Sequence, residues 1–292
     1  MPKLKPQRTR TLRVKDNGRS ADYVTPNFIY GCLGGCRNSY CYVMRYNFEH
    51  VYINENTDQI LAKIDAHAAR QAWPKTPNQT DFNYYTYDIG CSTDISLHWK
   101  HYDWRAVFAH FRDHPRAKAT FATKYVNDKL LDFDPRGKVR IRFSLMPQPM
   151  SDLLEPKTSP IAERLAAIPR FIEAGYDVHV NFSPIVYYEG WLDDYRRLFA
   201  QLDAAVPAAY RSIVAAEGIF LTHNTWQHQR NVGNGCTAAE SVLWQPEIQE
   251  GKRSNYGSSA VRYDRRIKPR LIREWRALHD EVIPWNRVRY LF

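Results

Sequence analysis

Apolar and polar positions alternate between two periods from about residue 26 to residue 223. "TDQILAKIDAHAARQAW" (57–73) puts Ile60, Leu61, Ile64 and Ala68 on one face, predicting a helix capped by Thr57 or Asp58 and stopped by Pro74. "FNYYTYDIG" (82–90) predicts a strand ending at Gly90, and "DWRAVFAHFRDH" (103–114) a helix facing inward with Trp104, Val107, Phe108 and Phe111. "AKATFAT" and "KVRIRFSLM" predict two further strands. Residues 159–175 begin with Ser-Pro, end at Gly175 and predict a helix bent at Pro169. A strand "YDVHVNFSPIV", a helix "WLDDYRRLFAQLDAA" and a strand "EGIFLTH" (217–223) complete the series.

This rhythm predicts the α/β class, with parallel βα units in a barrel or part of one. Active sites of parallel barrels lie at the C-terminal ends of the strands, where Cys91, Ser144 and His223 fall. As a lone residue, His223 reads as a hydrogen-bonded structural histidine. Residues 1–25 read as a basic arm, 26–223 as the barrel and 224–292 as a C-terminal segment. In that last segment 252–266 predict a hairpin and 267–282 a helix, while Cys236 reads as inert.

Charge adds a class of partner. The 292-residue chain has a net charge of +10, unevenly placed. Lys3, Lys5, Arg8, Arg10, Arg13, Lys15 and Arg19 face a single acid, Asp16, and a second basic stretch runs from Lys252 to Arg289. Such ends suit a polyanion, since each neutralised phosphate releases counterions. A solvated basic surface has the same composition. No window is apolar enough for a membrane span and no signal-peptide pattern opens the chain, so a cytoplasmic protein with reduced thiols is expected.

"GCLGGCRNSYCY" (31–42) concentrates three of the five cysteines, Cys32, Cys36 and Cys41, at C-x3-C-x4-C spacing. Three thiolates can hold three irons of a [4Fe–4S] cluster and leave the fourth open. Gly31, Gly34 and Gly35 let the backbone wrap closely. Zinc with His50 or Cys91 as a fourth ligand, or incidental thiols, also fit the spacing.

Further segments carry a resemblance. "GCSTDIS" with Cys91, "ATKY" with Lys124, "RIRFSL" with Ser144, "EPKTSPIAERLAA" (155–167), "SPIVYYEGW" (183–191) and "NYGSSAVRY" (255–263) follow the cysteine loop in order. Together they resemble the spore photoproduct lyase family of the radical S-adenosylmethionine (SAM) superfamily. The resemblance implies a partial parallel (β/α) barrel of the radical SAM type with a C-terminal β-hairpin and helix. It implies a [4Fe–4S] cluster on Cys32, Cys36 and Cys41, and SAM contacts from Ser92, Lys124 and Ser144. A 5′-deoxyadenosyl radical would take hydrogen from C6 of a thymine dimer, Cys91 would return a hydrogen atom, and Tyr40 and Tyr42 would relay the radical.

The same resemblance implies DNA with a damaged or modified thymine as partner, and a reductant such as flavodoxin or ferredoxin. An extruded base would reach the barrel mouth. Lys252, Arg253, Arg262, Arg265 and Arg266 would hold phosphates, with Tyr256 and Tyr263 as stacking or wedge groups. Two departures stand out. The family's loop is usually C-x3-C-x2-C, and its arginine before Tyr-Gly is Asn255 here. Radical rearrangement or hypermodification of a thymine derivative is therefore the second reading, and a zinc-stabilised nucleic-acid module without catalysis the third.

Overall fold

The computed structural model describes residues 3–34, 36, 39–41, 50–253 and 257–292. In chain order the first elements are β1 (Lys3–Gln7), β2 (Lys15–Asp16), β3 (Tyr23–Val24), β4 (Ile29–Tyr30) and β5 (His50–Asn54). They are followed by α1 (Thr57–Ala69), β6 (Tyr85–Asp88), α2 (Trp104–Asp113), β7 (Ala117–Thr123) and β8 (Val139–Ser144). Then come α3 (Gln148–Leu154), α4 (Ile161–Glu173), β9 (Asp177–Ile185), α5 (Trp191–Ala205), β10 (Ala215–Phe220) and β11 (Thr222–Asn224). The chain closes with α6 (Thr225–Gly233), α7 (Thr237–Leu243), β12 (Gln249–Arg253), β13 (Ser259–Tyr263), α8 (Lys268–Val282) and β14 (Arg287–Leu291). The main sheet has eight strands in the order β14-β10-β9-β8-β7-β6-β3-β2. The pairings β3–β6, β6–β7, β7–β8, β9–β10 and β10–β14 are parallel.

The chain divides into two compact units. The first holds Met1–Leu33, Asn47–Phe143 and Ala167–His179. Along β8, Val139, Ile141 and Phe143 face the helical side, where the Phe143 and Phe171 rings meet edge to face at 5.3 Å. Alternate residues put Arg140 and Arg142 on the other side, so a strand buried throughout still reads as alternating. Arg140 meets Asp177 at 2.7 Å and Asp81 at 2.9 Å, while Lys118 meets Asp177 at 2.5 Å and Asp81 at 3.1 Å. Burial alone would raise the Asp177 carboxyl, but Arg140, His179 and Lys118 hold it well below its ordinary range. These charges sit where β7, β8 and β9 begin, the barrel end associated with stability.

The second unit holds Gly34–Tyr46, Ser144–Ala166 and Val180–Phe292. Its core gathers Phe182, Tyr195, Phe199 and Trp275, with Phe199 and Trp275 edge to face at 5.3 Å across α5 and α8. A separate sheet in the order β11-β13-β12 carries the C-terminal hairpin.

Several elements differ from expectation. The basic N-terminal stretch contains strands, and β1 runs parallel to β5 with Lys3 opposite His50. Its residues are mostly exposed, so no apolar alternation marks it. Helix α1 begins after Asn56 rather than at a Thr57 or Asp58 cap. The Asn56 amide instead exchanges two hydrogen bonds with the Thr9 backbone, at 3.0 and 3.1 Å. "EGIFLTH" is two strands: β10 ends at Phe220, and His223 lies on β11 in the hairpin sheet. Helices α6 and α7 and strand β14 lie where the sequence rhythm lapses.

Candidate active site

In the first unit the site is built around the loop after β6. A Cβ on Gly90 would meet the Phe121 Cβ at 2.7 Å, so only glycine lets this loop leave so close to β7. Asp94 then ties it down. Its Oδ1 accepts from the Thr123 hydroxyl at 2.7 Å and its Oδ2 from the Lys124 amide at 2.9 Å. Cys91, Ser92 and the end of β7 with Lys124 are thereby fixed together. The Gly31 amide, beside Cys32, donates to the Ser92 carbonyl at 2.9 Å. The Leu33 amide donates to His98 Nε2 at 3.2 Å. Burial, then His101, pushes His98 down to about 4, keeping it neutral and able to accept.

Cys91 itself has open surface. Enough protein surrounds its sulfur that desolvation, followed by the Asp88 charge, pushes the thiol up to about 12. At neutral pH the sulfur therefore carries its hydrogen. Cys32 is buried, with 8% of its surface accessible.

In the second unit the cysteine loop is closed on itself: the amides of Ser39 and Cys41 both reach the Cys36 carbonyl, at 3.1 and 3.2 Å. Cys36 is buried, Cys41 half-buried, and neither forms a disulfide. The Tyr40 hydroxyl donates to Glu155 Oε1 at 2.5 Å, and the Ser39 hydroxyl to the Leu154 carbonyl at 2.5 Å. Arg164 Nη1 reaches both Glu155 Oε2 and the Ser144 carbonyl at 2.8 Å. Asn231 Nδ2 holds the Ser39 carbonyl at 2.6 Å. Glu155 and Arg164 are fully buried, so this network locks the loop to the end of β8. Burial, then the Glu155 charge, pushes the Tyr40 hydroxyl well above its ordinary range.

Ser144 is buried at that strand end, and among the described residues its hydroxyl has no hydrogen-bond partner. Asn181 Oδ1, on β9, is likewise buried without one, and its carbonyl accepts the Leu145 amide at 2.9 Å. Ser144 at the end of β8 and Asn181 midway along the neighbouring β9 thus each carry an orphaned buried polar atom, a feature that suits a polar ligand. Asn181 was missed in the sequence, where it is one of several polar residues in β9, with Asp177, His179 and Ser183. Glu155, Arg164 and Asp94 were likewise unassigned, although each stands in a quoted motif.

The predicted DNA contacts divide. Arg253 and Arg265 are exposed and Lys252 is half-buried. Arg262 pairs with Glu250 at 2.8 Å, and Arg266 with Asp264. Tyr263 is a correction: it is fully buried, its ring packs on Phe220, and its hydroxyl accepts the Tyr187 amide at 2.7 Å. It offers no stacking surface. Tyr42, Asn255 and Tyr256 lie outside the described residues.

Known proteins share this fold. The family model for spore photoproduct lyase matches residues 7–292. The chain is 34% identical over 213 residues to spore photoproduct lyase of Bacillus subtilis, covering 71% of this chain and 58% of that relative. It is 33% identical over 199 residues to the Geobacillus protein of the same name, covering 66% and 54%. It thus spans little more than half the length of either relative. Among solved structures, spore photoproduct lyase complexed with dinucleoside spore photoproduct superposes with a TM-score of 0.83 at 23% identity. That match covers 99% of this chain and 82% of the other. A mutant with bound AdoMet and dinucleoside spore photoproduct gives 0.84, also at 23% identity, 99% and 82% coverage. The fold is thus the partial parallel (β/α) barrel expected from the sequence. The match along nearly the whole chain places it in the spore photoproduct lyase family, within the radical SAM superfamily.

Proposed function

We propose that this chain is a radical SAM lyase that repairs a thymine dimer of the spore photoproduct type in DNA. The observation that carries the reading is Cys91, held on an anchored strand-end loop with its hydrogen in place. A hydrogen-atom donor must be a thiol and not a thiolate, and this one is kept so. The donor set also fits the cofactors. Cys32, Cys36 and Cys41, three thiols free of disulfides, would hold a [4Fe–4S] cluster with one iron open. The unpartnered Ser144 hydroxyl, with Lys124 and Ser92, would hold SAM. When bound, the reduced cluster and SAM supply a carbon-centred radical that takes hydrogen from the substrate.

The chain's own part is to orient, to exclude water and to return hydrogen. Cys91 gives its hydrogen atom to the thymine radical: the S–H bond breaks, a C–H bond forms and a thiyl radical remains. Tyr40, its hydroxyl protonated, and Tyr42 would relay the radical left on Cys91. Lys252, Arg253, Arg262, Arg265 and Arg266 would hold DNA phosphates in this reading, with Tyr256 as a stacking or wedge group. The partners are DNA bearing the lesion and a reductant such as flavodoxin or ferredoxin, in the cytoplasm. Among the described residues no helix is long and apolar enough to cross a membrane.

The test is anaerobic reconstitution followed by assays of iron, SAM cleavage and photoproduct DNA. Conversion of the lesion to thymine is expected, with Cys91→Ala still cleaving SAM but giving aberrant adducts. A colourless, zinc-loaded protein that leaves SAM intact would sink the radical chemistry. Intact lesion DNA alongside SAM cleavage would favour modification of a thymine derivative, the reading to which the C-x3-C-x4-C spacing also points.

A further inference from the structure

The segment after β10 contains a second constellation, remote in sequence from Cys32, Cys36 and Cys41. His223 on β11, His228 on α6 and Glu240 on α7 follow H-x4-H-x11-E spacing, and one donor atom from each lies within 4.8 Å of the others. His223 Nε2 stands 3.0 Å from Glu240 Oε1, and His228 Nδ1 stands 2.5 Å from Glu240 Oε2. His223 is fully buried and Glu240 nearly so, whereas His228 is half-buried and leaves a way in.

We propose that His223, His228 and Glu240 form a binding site for a divalent transition-metal ion of the zinc class, which braces the base of the C-terminal hairpin sheet. Two imidazoles and one carboxylate are a donor set that zinc accepts, with water completing the coordination. Magnesium and calcium prefer all-oxygen shells, so they fit poorly. The surroundings orient the donors as an outer shell does. Trp244 stacks on the His228 ring at 3.9 Å and 10°, fixing its plane. Asn231 Nδ2 donates to Glu240 Oε1 at 2.5 Å, fixing the carboxylate. The three donors come from three elements, and β11 pairs with β13. One ion would therefore pin both helices to the sheet that carries the hairpin.

The competing account is a metal-free cluster in which Glu240 accepts hydrogen bonds from both imidazoles. Titrating the cluster-loaded protein with Co²⁺, then competing with Zn²⁺, separates the two. Expected is one cobalt per chain beyond the cluster iron, with the ligand-field absorption of a nitrogen–oxygen site and no thiolate charge-transfer band. His228→Ala, at the open edge, and Glu240→Gln, which keeps the side chain's shape, should each weaken binding by at least about tenfold, a loss that even an outer-shell change produces. Zinc should raise the unfolding temperature of the parent chain but not of either variant. No metal beyond iron, a thiolate band on cobalt, or unchanged affinity in both variants would overturn the site.

Discussion

The Gly31 amide donates to the Ser92 carbonyl at 2.9 Å, joining the residue before Cys32 to the residue after Cys91. Gly31 has φ 109°, a conformation that strains any side chain. Gly31→Ala should cost about 1–3 kcal/mol and lower the iron bound per chain on reconstitution. Full iron loading in the variant would show that this contact does not position Cys32.

The raised Cys91 thiol makes a labelling prediction. With a value of about 12, only roughly one sulfur in ten thousand is thiolate at pH 8. Alkylation should be far slower than for an ordinary exposed cysteine and should quicken about tenfold per pH unit. Peptide mass spectrometry reads the rate directly; fast labelling at pH 8 contradicts the assignment.

Ser144→Ala should move two measurements in opposite directions. Removing a buried hydroxyl that has no partner among the described residues should leave the unfolding temperature unchanged or higher. SAM affinity, measured by equilibrium dialysis, should fall by about 1–3 kcal/mol. Unchanged affinity would remove Ser144 from the binding surface.

Asp177 sets part of the acid sensitivity. Its folded carboxyl is held below the ordinary range, so the unfolded chain takes the proton more readily. The stabilisation is then complete above about pH 4 and is lost as pH falls through the folded value. Asp177→Asn should destabilise the chain at pH 7 by on the order of 3 kcal/mol and flatten the remaining loss below pH 4. Urea midpoints across pH test both the size and the sign.

The hairpin residues should separate by role. Arg253→Ala and Arg265→Ala should each reduce the salt slope of DNA binding by roughly one. Tyr263→Phe should leave DNA binding alone but cost about 1–3 kcal/mol of stability, because the Tyr187 amide loses its acceptor. A weakened DNA complex with normal stability would reinstate Tyr263 at the interface.

Legibility in the sequence followed burial. Strand β7 and helix α5 match expectation to the residue because one is buried almost throughout and the other carries Trp191, Tyr195, Leu198, Phe199 and Leu202 at helical spacing. Cys91 and Ser144 lie where the strand pattern put them, after β6 and at the end of β8, because both strands are buried. Helix α6 was not legible: "TWQHQRNVG" buries Gln227 and Asn231, polar residues that leave no apolar stripe. Tyr263 misled because an aromatic among arginines reads as a stacking group, and only packing reveals that its ring turns inward. Asp94 and Glu155 were visible as letters, but their work is to hold groups distant in sequence, the Lys124 amide for Asp94 and the Tyr40 hydroxyl for Glu155.

Only Leu221 separates β10, in the main sheet, from β11, in the hairpin sheet. Its amide is fastened to the Ile185 carbonyl at 3.0 Å, and the neighbouring Phe220 amide to the Phe292 carbonyl at 2.8 Å. A joint so short and so tethered has no slack to swing. The base of the hairpin sheet therefore follows β10 and does not act as a separate flap.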